Sequence, residues 1–133
     1  MAGIGRATAL RVAREGIKVM IADYNPDGAL KTVAMIKEAG GSADCVAADV
    51  TLTGQVEMMV NKTIEAYGRL DYAFNNAGIE GTFADTAGYP EDSFDRVIAT
   101  NLKAVWLCMK YEIPQMLKNG GGAIVNTASV LGL

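Results

Sequence analysis

The strongest constraint on the fold of this chain is a regular alternation of short apolar segments with longer amphipathic ones. The short segments have the length of buried strands, whereas the longer ones repeat apolar residues at steps of three and four, as helices do. Strands that are separated by helices pair in parallel through right-handed crossovers. The sequence therefore predicts an α/β fold, with a doubly wound parallel sheet and helices on both faces.

The predicted elements follow one another without a linker, an internal repeat or a low-complexity tract, so we expect one domain over residues 1–133. The strands are predicted at 18–22, 44–48, 71–74 and 123–126. The helices are predicted from Gly3 to Gly16, from Pro26 to Gly40, from a cap at Thr51 to Gly68, and from Glu91 to Lys118. Pro114 is a candidate position for a kink in the last helix, because proline removes a helix hydrogen bond.

Two features near the start of the chain suit a bound nucleotide. Gly3-Ile4-Gly5 opens the first predicted helix, where the backbone can approach a pyrophosphate and the helix N-terminus offers free N–H groups. Asp23 follows the next strand, eighteen residues after Gly5, close to the spacing of about twenty at which an acidic residue accepts hydrogen bonds from an adenosine ribose. A tight turn for the glycines, and a turn or cap residue for Asp23, are the structural alternatives.

Two later strands also end in small or polar residues. Asn75-Asn76-Ala77-Gly78 follows the third strand, where small residues permit close backbone approach and an asparagine side chain can tie adjacent strands together. Turn formation is the structural alternative for this tetrapeptide. Ser129 lies just beyond the fourth strand, at the edge where open α/β sheets place their reacting groups.

Asn101 falls on the apolar face of the last predicted helix. This face consists of Phe94, Val97, Ile98, Leu102, Val105 and Met109. A buried amide costs a few kcal/mol unless its hydrogen bonds are met, so we expect Asn101 to be buried and bonded. A core asparagine that bonds locally is the structural alternative to a functional one.

Taken together, these segments resemble the short-chain dehydrogenase/reductase family. In this family the phosphate loop reads Thr-Gly-x-x-x-Gly-x-Gly, and Asn-Asn-Ala-Gly and a catalytic serine follow at the ends of later strands. The resemblance covers essentially the whole chain and implies a single Rossmann-like NAD(P)-binding domain that is truncated at both ends. It also implies an oxidoreductase that transfers a hydride between nicotinamide and a small-molecule alcohol or carbonyl substrate.

The resemblance implies roles for individual residues. Ser129 would orient the substrate carbonyl or hydroxyl, and the backbone carbonyl of Asn101 would hold a water in a proton relay. Asp49 would bond the adenine amino group and the N–H of Val50 the adenine ring, with helix capping as the alternative for Asp49. The other residues of the implied cofactor site are Gly3, Ile4, Gly5, Asp23, Asn76, Ala77 and Gly78.

The chain departs from the family pattern in two places. The family's catalytic Tyr-x-x-x-Lys does not occur, since none of the five tyrosines has a lysine four residues later. The family's first strand and the Thr-Gly of its loop would precede Met1, and without that central strand its neighbours would be about 9.6 Å apart, two strand spacings. We therefore expect the chain to be inactive alone. A non-catalytic nucleotide-binding module and a fragment that pairs with full-length family members remain open alternatives.

Charge and cysteine content limit the partners. NAD is favoured over NADP, because the Asp23 carboxylate would repel a 2′-phosphate. A net charge of −3 without a basic stripe argues against nucleic-acid binding. The sequence contains no apolar run of about eighteen residues, so it predicts no membrane span. With no histidine, and with Cys45 and Cys108 far apart, we expect no metal site and no disulfide framework.

Two further expectations concern location and assembly. The chain does not begin with a signal-peptide pattern, which makes the cytoplasm the default location. Apolar residues, Trp106 among them, surround the second half of the helix at 91–118. A helix of this kind is buried on more than one side, so the sequence predicts a homo-oligomer that pairs through it.

Overall fold

The computed structural model of this protein describes residues 3–129. Helices and strands alternate as the sequence predicts. In chain order the elements are α1 (Gly3–Arg14), β1 (Val19–Asp23), α2 (Pro26–Glu38), β2 (Ala43–Ala47), α3 (Thr53–Tyr67), β3 (Tyr72–Asn75), α4 (Glu91–Ile98), a π-helical turn (Ala99–Lys103), α5 (Ala104–Lys118) and β4 (Ala123–Asn126).

Local chemistry explains the start of α2 and the end of α3. Pro26 is the first residue of α2, where its fixed φ suits a helix, and the Asn25 side chain accepts the Gly28 N–H at 3.3 Å. Gly68 ends α3 in the left-handed conformation, with φ of 79°, which a residue with a side chain rarely adopts. The prediction that Thr51 caps α3 is wrong, because Leu52 occupies the N-cap and makes no side-chain capping bond.

The strands form two separate parallel pairs. β1 pairs with β2, placing Ile21 opposite Cys45, and β3 pairs with β4, placing Phe74 opposite Val125. Within residues 3–129 no ladder joins the two pairs, which agrees with the gap that the family resemblance predicts between these strands. The division lies between β1 and β3, where the family resemblance places a further, central strand.

Two apolar clusters cover opposite faces of the β1–β2 pair. The first contains Ile21 together with buried residues of α1 and α2, namely Ala9, Ala13, Ala29, Val33 and Ile36. The second joins α3 to α5 through Val56, Val60, Leu107 and Cys108, and Ala22 and Val46 of the sheet pack against it. Since neighbouring strand residues point to opposite faces, this alternation confirms helices on both faces of the pair.

The β3–β4 pair is more exposed than its apolar sequence predicts. Tyr72 is 62% exposed and Val125 is 59% exposed. Helix α5 packs against β3, but each strand of the pair has a single strand neighbour among the described residues. The expectation of buried strands is therefore wrong for the exposed residues of this pair, because burial depends on neighbours that the pattern of one strand does not specify.

The continuous helix predicted over 91–118 is interrupted. The chain makes a π-helical turn at Ala99–Lys103, where the Ala104 N–H bonds to the Ala99 carbonyl, and α5 continues through Pro114. A π-helical turn adds a residue and so rotates the following helix by roughly 100° relative to a regular helix. Among the helices between residues 3 and 129, none combines the length and the hydropathy that crossing a membrane requires.

Candidate active site

The first group of predicted site residues lies where β1 and β2 end. Asp23 is the last residue of β1, and its Oδ1 accepts the Asn25 N–H at 2.8 Å. The Asp23 carbonyl accepts the Ala48 N–H at 3.1 Å, which extends the pairing with β2 by one bond. The turn interpretation of Asp23 is therefore correct, and the same geometry holds its carboxylate at the end of the strand.

Asp49 forms a compact turn two residues after β2. Its Oδ1 accepts two hydrogen bonds from Thr51, from the N–H at 2.9 Å and from the hydroxyl at 2.7 Å. Its own N–H donates to Gln55 Oε1 at 2.6 Å, so the first turn of α3 holds the loop from the other side. Val50 packs against the second apolar cluster. This carboxylate thus orders the loop before α3, although Asp49 is not the cap of that helix.

The glycine segment begins α1, as predicted. Gly3 has φ of +56°, in the left-handed region that favours glycine, Ile4 is exposed and Gly5 is buried. Arg6, in the first turn, donates from Nε to the hydroxyl of Thr32 in α2 at 3.0 Å. The start of α1 is thereby fixed against α2, with its N–H groups directed along the helix axis as an anion site requires.

The second group lies at the carboxyl ends of β3 and β4. Asn75 Nδ2 donates to Asn126 Oδ1 at 2.9 Å, so an asparagine side chain does tie adjacent strands together. One residue further on, the Thr127 N–H bonds to the Asn75 carbonyl at 3.0 Å, and the Thr127 hydroxyl donates to Asn76 Oδ1 at 2.9 Å. Ser129, two residues beyond Thr127, is exposed at this edge.

Asn101 lies in the π-helical turn and holds the loop that follows β3. Its Oδ1 accepts the Ile79 N–H and its Nδ2 donates to the Ile79 carbonyl, both at 2.9 Å. A Cβ atom added to Gly78 would lie 3.5 Å from Asn101 Oδ1, which shows how closely the Asn-Asn-Ala-Gly turn approaches the helix. The expectation that Asn101 is buried is wrong, because Phe94 and Leu102 on its predicted face are themselves exposed.

Glu112 is a buried member of this region that the sequence patterns do not single out. It is 5% exposed, and its Oε2 accepts a hydrogen bond from Asn75 Nδ2 at 3.1 Å. Burial raises the pKa of Glu112, and the hydrogen bond from Asn75 partly offsets that effect. Burial likewise raises the pKa of Cys108, one turn earlier, to about 12. The sequence does contain a signal for a buried glutamate. Glu112 lies four residues from both Cys108 and Met116, which are buried, so a charged residue falls on the buried face of the helix.

The two groups together suit a dinucleotide. A glycine at the start of α1, a carboxylate at the end of β1, and the small, exposed residues Ala77 and Gly78 are features of a nucleotide cradle at the strand ends. Across residues 3–129, no three potential metal-ligating side chains of the His, Cys, Asp or Glu type cluster together. The described groups offer hydrogen bonds from hydroxyl, amide and backbone groups and the carboxylates of Asp23, Asp49 and Glu112.

Comparison with known proteins identifies the family of this chain. The family described as short chain dehydrogenase matches residues 1–133. Cyclohexanol dehydrogenase of Acinetobacter sp. (strain SE19) is 42% identical over 131 residues, which are 98% of this chain and 52% of that enzyme. Levodione reductase of Leifsonia aquatica is 41% identical over 133 residues, which are 98% of this chain and 50% of that enzyme.

Solved structures of similar proteins share the fold of this chain. NAD⁺-bound xylitol dehydrogenase superposes with a TM-score of 0.94 at 39% identity, covering 97% of this chain and 50% of that one. A variant of actinorhodin polyketide ketoreductase with NADPH superposes with a TM-score of 0.91 at 35% identity, covering 96% of this chain and 49% of that one. The chain thus spans about half the length of the relatives it matches. Of the two solved structures, one contains NAD⁺ and the other contains NADPH.

Proposed function

This chain belongs to the short chain dehydrogenase family, and from that premise we propose that the protein transfers a hydride between NAD and a small alcohol or carbonyl compound. The observation that carries this proposal is the position of Ser129. It follows the end of β4, which hydrogen bonds tie to the Asn-Asn-Ala-Gly turn. In this position a serine hydroxyl can donate to the oxygen of a carbonyl substrate.

The proposal assigns a role in cofactor binding or proton transfer to each of the predicted site residues named below. The cofactor, when bound, supplies or accepts the hydride. Gly3, Ile4 and Gly5 at the start of α1 bind its pyrophosphate, and Ala77 and Gly78 allow it to approach β3 closely. Asp49 and Val50 bind the adenine. The Asn101 carbonyl holds the relay water, while the Asn101 side chain keeps the loop at Ile79 in place.

NAD is the preferred cofactor in this proposal. The Asp23 carboxylate lies at the end of β1, and a 2′-phosphate on the adenosine ribose would meet its negative charge. Because the relatives include proteins with NAD⁺ and with NADPH, the preference rests on Asp23 itself.

Residues 1–133 alone are expected to lack turnover. Reduction of a carbonyl needs a proton donor, and none of the tyrosines has a lysine four residues later that would lower its pKa. Two alternatives predict other outcomes for the protein expressed from the complete reading frame. A nucleotide-binding module would bind NAD without turnover, and a regulatory fragment would bind full-length family members without binding NAD.

Assembly through α4 and α5 belongs to the same proposal. Phe94, Ile98, Leu102 and Trp106 recur every four residues and are 38–63% exposed. Such an apolar stripe suits a second copy of the chain in a two-fold arrangement. A cytoplasmic location remains a prediction from the sequence, which fractionation of the source cells would test.

Activity of the protein from the complete reading frame tests the proposal. We expect NAD-dependent oxidation of at least one member of a panel of cyclic alcohols and sugar alcohols, and we expect Ser129→Ala to lower kcat by about 100-fold or more. The control is Ser42→Ala, which removes an exposed serine before β2. Full activity of Ser129→Ala would contradict the role of Ser129, and NAD binding without any turnover would favour the nucleotide-binding module.

A further inference from the structure

Glu112 contacts the last residue pair of the β3–β4 ladder, Asn75 and Asn126, through the side chain of Asn75. Its Oε2 atom lies 3.1 Å from Asn75 Nδ2, and the same nitrogen lies 2.9 Å from Asn126 Oδ1. An amide nitrogen carries two hydrogens, so Asn75 can donate to both oxygens at once. The Asn75 side chain therefore connects Glu112 of α5 to the ends of both strands.

The acceptor at Glu112 determines which way the Asn75 amide faces. If the amide turned over, its Oδ1 would face two oxygen atoms, those of Glu112 and Asn126, and both hydrogen bonds would be lost. Asn126 is oriented in turn, because its Oδ1 accepts from Asn75 while its Nδ2 lies 3.4 Å from Met109 Sδ. One buried carboxyl group thus selects the orientation of two amides.

These two asparagines are the last pair of the β3–β4 ladder, and the chain beyond each of them leads to residues of the proposed site. Beyond Asn75 the chain continues into Asn76, Ala77 and Gly78, and beyond Asn126 it continues through Thr127 to Ser129. The Thr127 bonds to Asn75 and Asn76 continue the pairing by one residue. A change in the last paired residues would therefore displace the Asn-Asn-Ala-Gly turn and Ser129 relative to each other.

We propose that Glu112 is a positioning residue, which orients the Asn75 and Asn126 amides and so sets the distance between the Asn-Asn-Ala-Gly turn and Ser129. This inference rests on the proposed function, because that function gives the distance its importance. Glu112 itself contacts neither substrate nor cofactor in this proposal. A displacement of about 1 Å in such a site is enough to lower a rate by two orders of magnitude.

Two substitutions separate positioning from stability. Glu112→Gln retains an oxygen acceptor of the same shape, and we expect kcat to stay within about threefold of the unsubstituted protein. Glu112→Met has a similar volume but no comparable acceptor, so Asn75 loses its hydrogen bond to Glu112 and keeps the one to Asn126. We expect this variant to keep its Tm within a few degrees and to lose at least about tenfold in kcat. Met116→Leu, one turn further along α5, is the control for a buried substitution.

A second readout does not depend on turnover. In ¹H–¹⁵N spectra of the protein from the complete reading frame, the Asn75 side-chain NH₂ signal is assigned by its loss in Asn75→Asp. We expect slow hydrogen exchange of this NH₂ in the unsubstituted protein and in Glu112→Gln, and fast exchange in Glu112→Met. Slow exchange in Glu112→Met would overturn the proposal, even if the protein showed no oxidoreductase activity. Fast exchange together with unchanged kcat and KM would overturn it as well.

Discussion

The side-chain amide of Asn101 forms two hydrogen bonds with the backbone of Ile79, both 2.9 Å long. The amide pairs with the N–H and the carbonyl of one residue, as a neighbouring strand would. Asn101 lies in the π-helical turn and Ile79 in the loop after the Asn-Asn-Ala-Gly segment. The pair therefore connects an irregular point of the helix to the loop next to the proposed cofactor site.

Asn101→Ala removes both bonds. We expect it to lower the free energy of unfolding by about 1–2 kcal/mol, since each net hydrogen bond contributes about 1 kcal/mol. Asn101→Asp keeps the acceptor for the Ile79 N–H but opposes the Ile79 carbonyl with a negative charge, so we expect a loss of similar size. Urea denaturation measures both changes. Asn61→Ala, at an exposed position of α3, is the control, and a loss for Asn61→Ala equal to that for Asn101→Ala would contradict the assignment.

Two substitutions at Asp23 separate the effect of its negative charge from that of its hydrogen bond to the Asn25 N–H. Asp23→Asn retains an oxygen for the Asn25 N–H but removes the negative charge, whereas Asp23→Ala removes both. We expect Asp23→Asn to narrow the preference for NAD over NADP about tenfold or more, because a Coulomb repulsion of roughly 1–4 kcal/mol is removed. Steady-state kcat/KM with each cofactor measures the ratio. An unchanged ratio in Asp23→Asn would remove Asp23 from cofactor selection.

The raised pKa of Glu112 predicts a pH dependence of stability. Its ordinary value is 4.5, and burial raises the pKa of the folded state. The stability that this shift contributes is fully present below pH 4.5 and is lost as pH rises through the folded pKa. Relative to Glu112→Gln, the unsubstituted protein should therefore gain stability as pH falls from about 8 toward that value. Cys108, with its pKa raised to about 12, does not titrate in this range.

Denaturant unfolding of both proteins across this pH range measures the difference. Groups common to the two proteins contribute equally to each curve, so the comparison isolates the carboxyl group of Glu112. A difference that stays constant with pH would show that Glu112 ionises as easily in the folded protein as in the unfolded chain.

Trp106→Glu should weaken association through the apolar stripe of α4 and α5. Trp106 is 54% exposed, and the centroid of its ring lies 5.5 Å from Lys110 Nζ. Leu30 on α2 is 55% exposed and lies outside the stripe. Leu30→Glu is therefore a control of equal exposure. Light scattering of the protein from the complete reading frame should show a dimer or tetramer that Trp106→Glu dissociates and Leu30→Glu does not. A well-folded monomer at micromolar concentration would rule out the proposed surface.

Helix and strand positions follow closely from local sequence. The strand at 123–126 and the start of α2 at Pro26 agree with the prediction, and Gly68 ends α3 as expected. These features depend on backbone preferences within a few residues, such as the fixed φ of proline and the left-handed φ of glycine. That an asparagine of the Asn-Asn-Ala-Gly segment can tie adjacent strands was also predicted, but the partner, Asn126, lies fifty-one positions away and was not.

Burial and long-range pairing could not be predicted in the same way. The pattern around Asn101 indicates an apolar face but not what covers it, and the π-helical turn that rotates α5 has no clear local signal. Glu112 resembles an ordinary helix residue until α5 packs against β3 and brings its carboxyl group to Asn75, thirty-seven positions away in the chain. The sequence alone determined the order of the elements and the chemical groups at the strand ends, because both are local properties. Only the tertiary structure decided which of those groups meet, because packing brings together side chains that are distant along the chain.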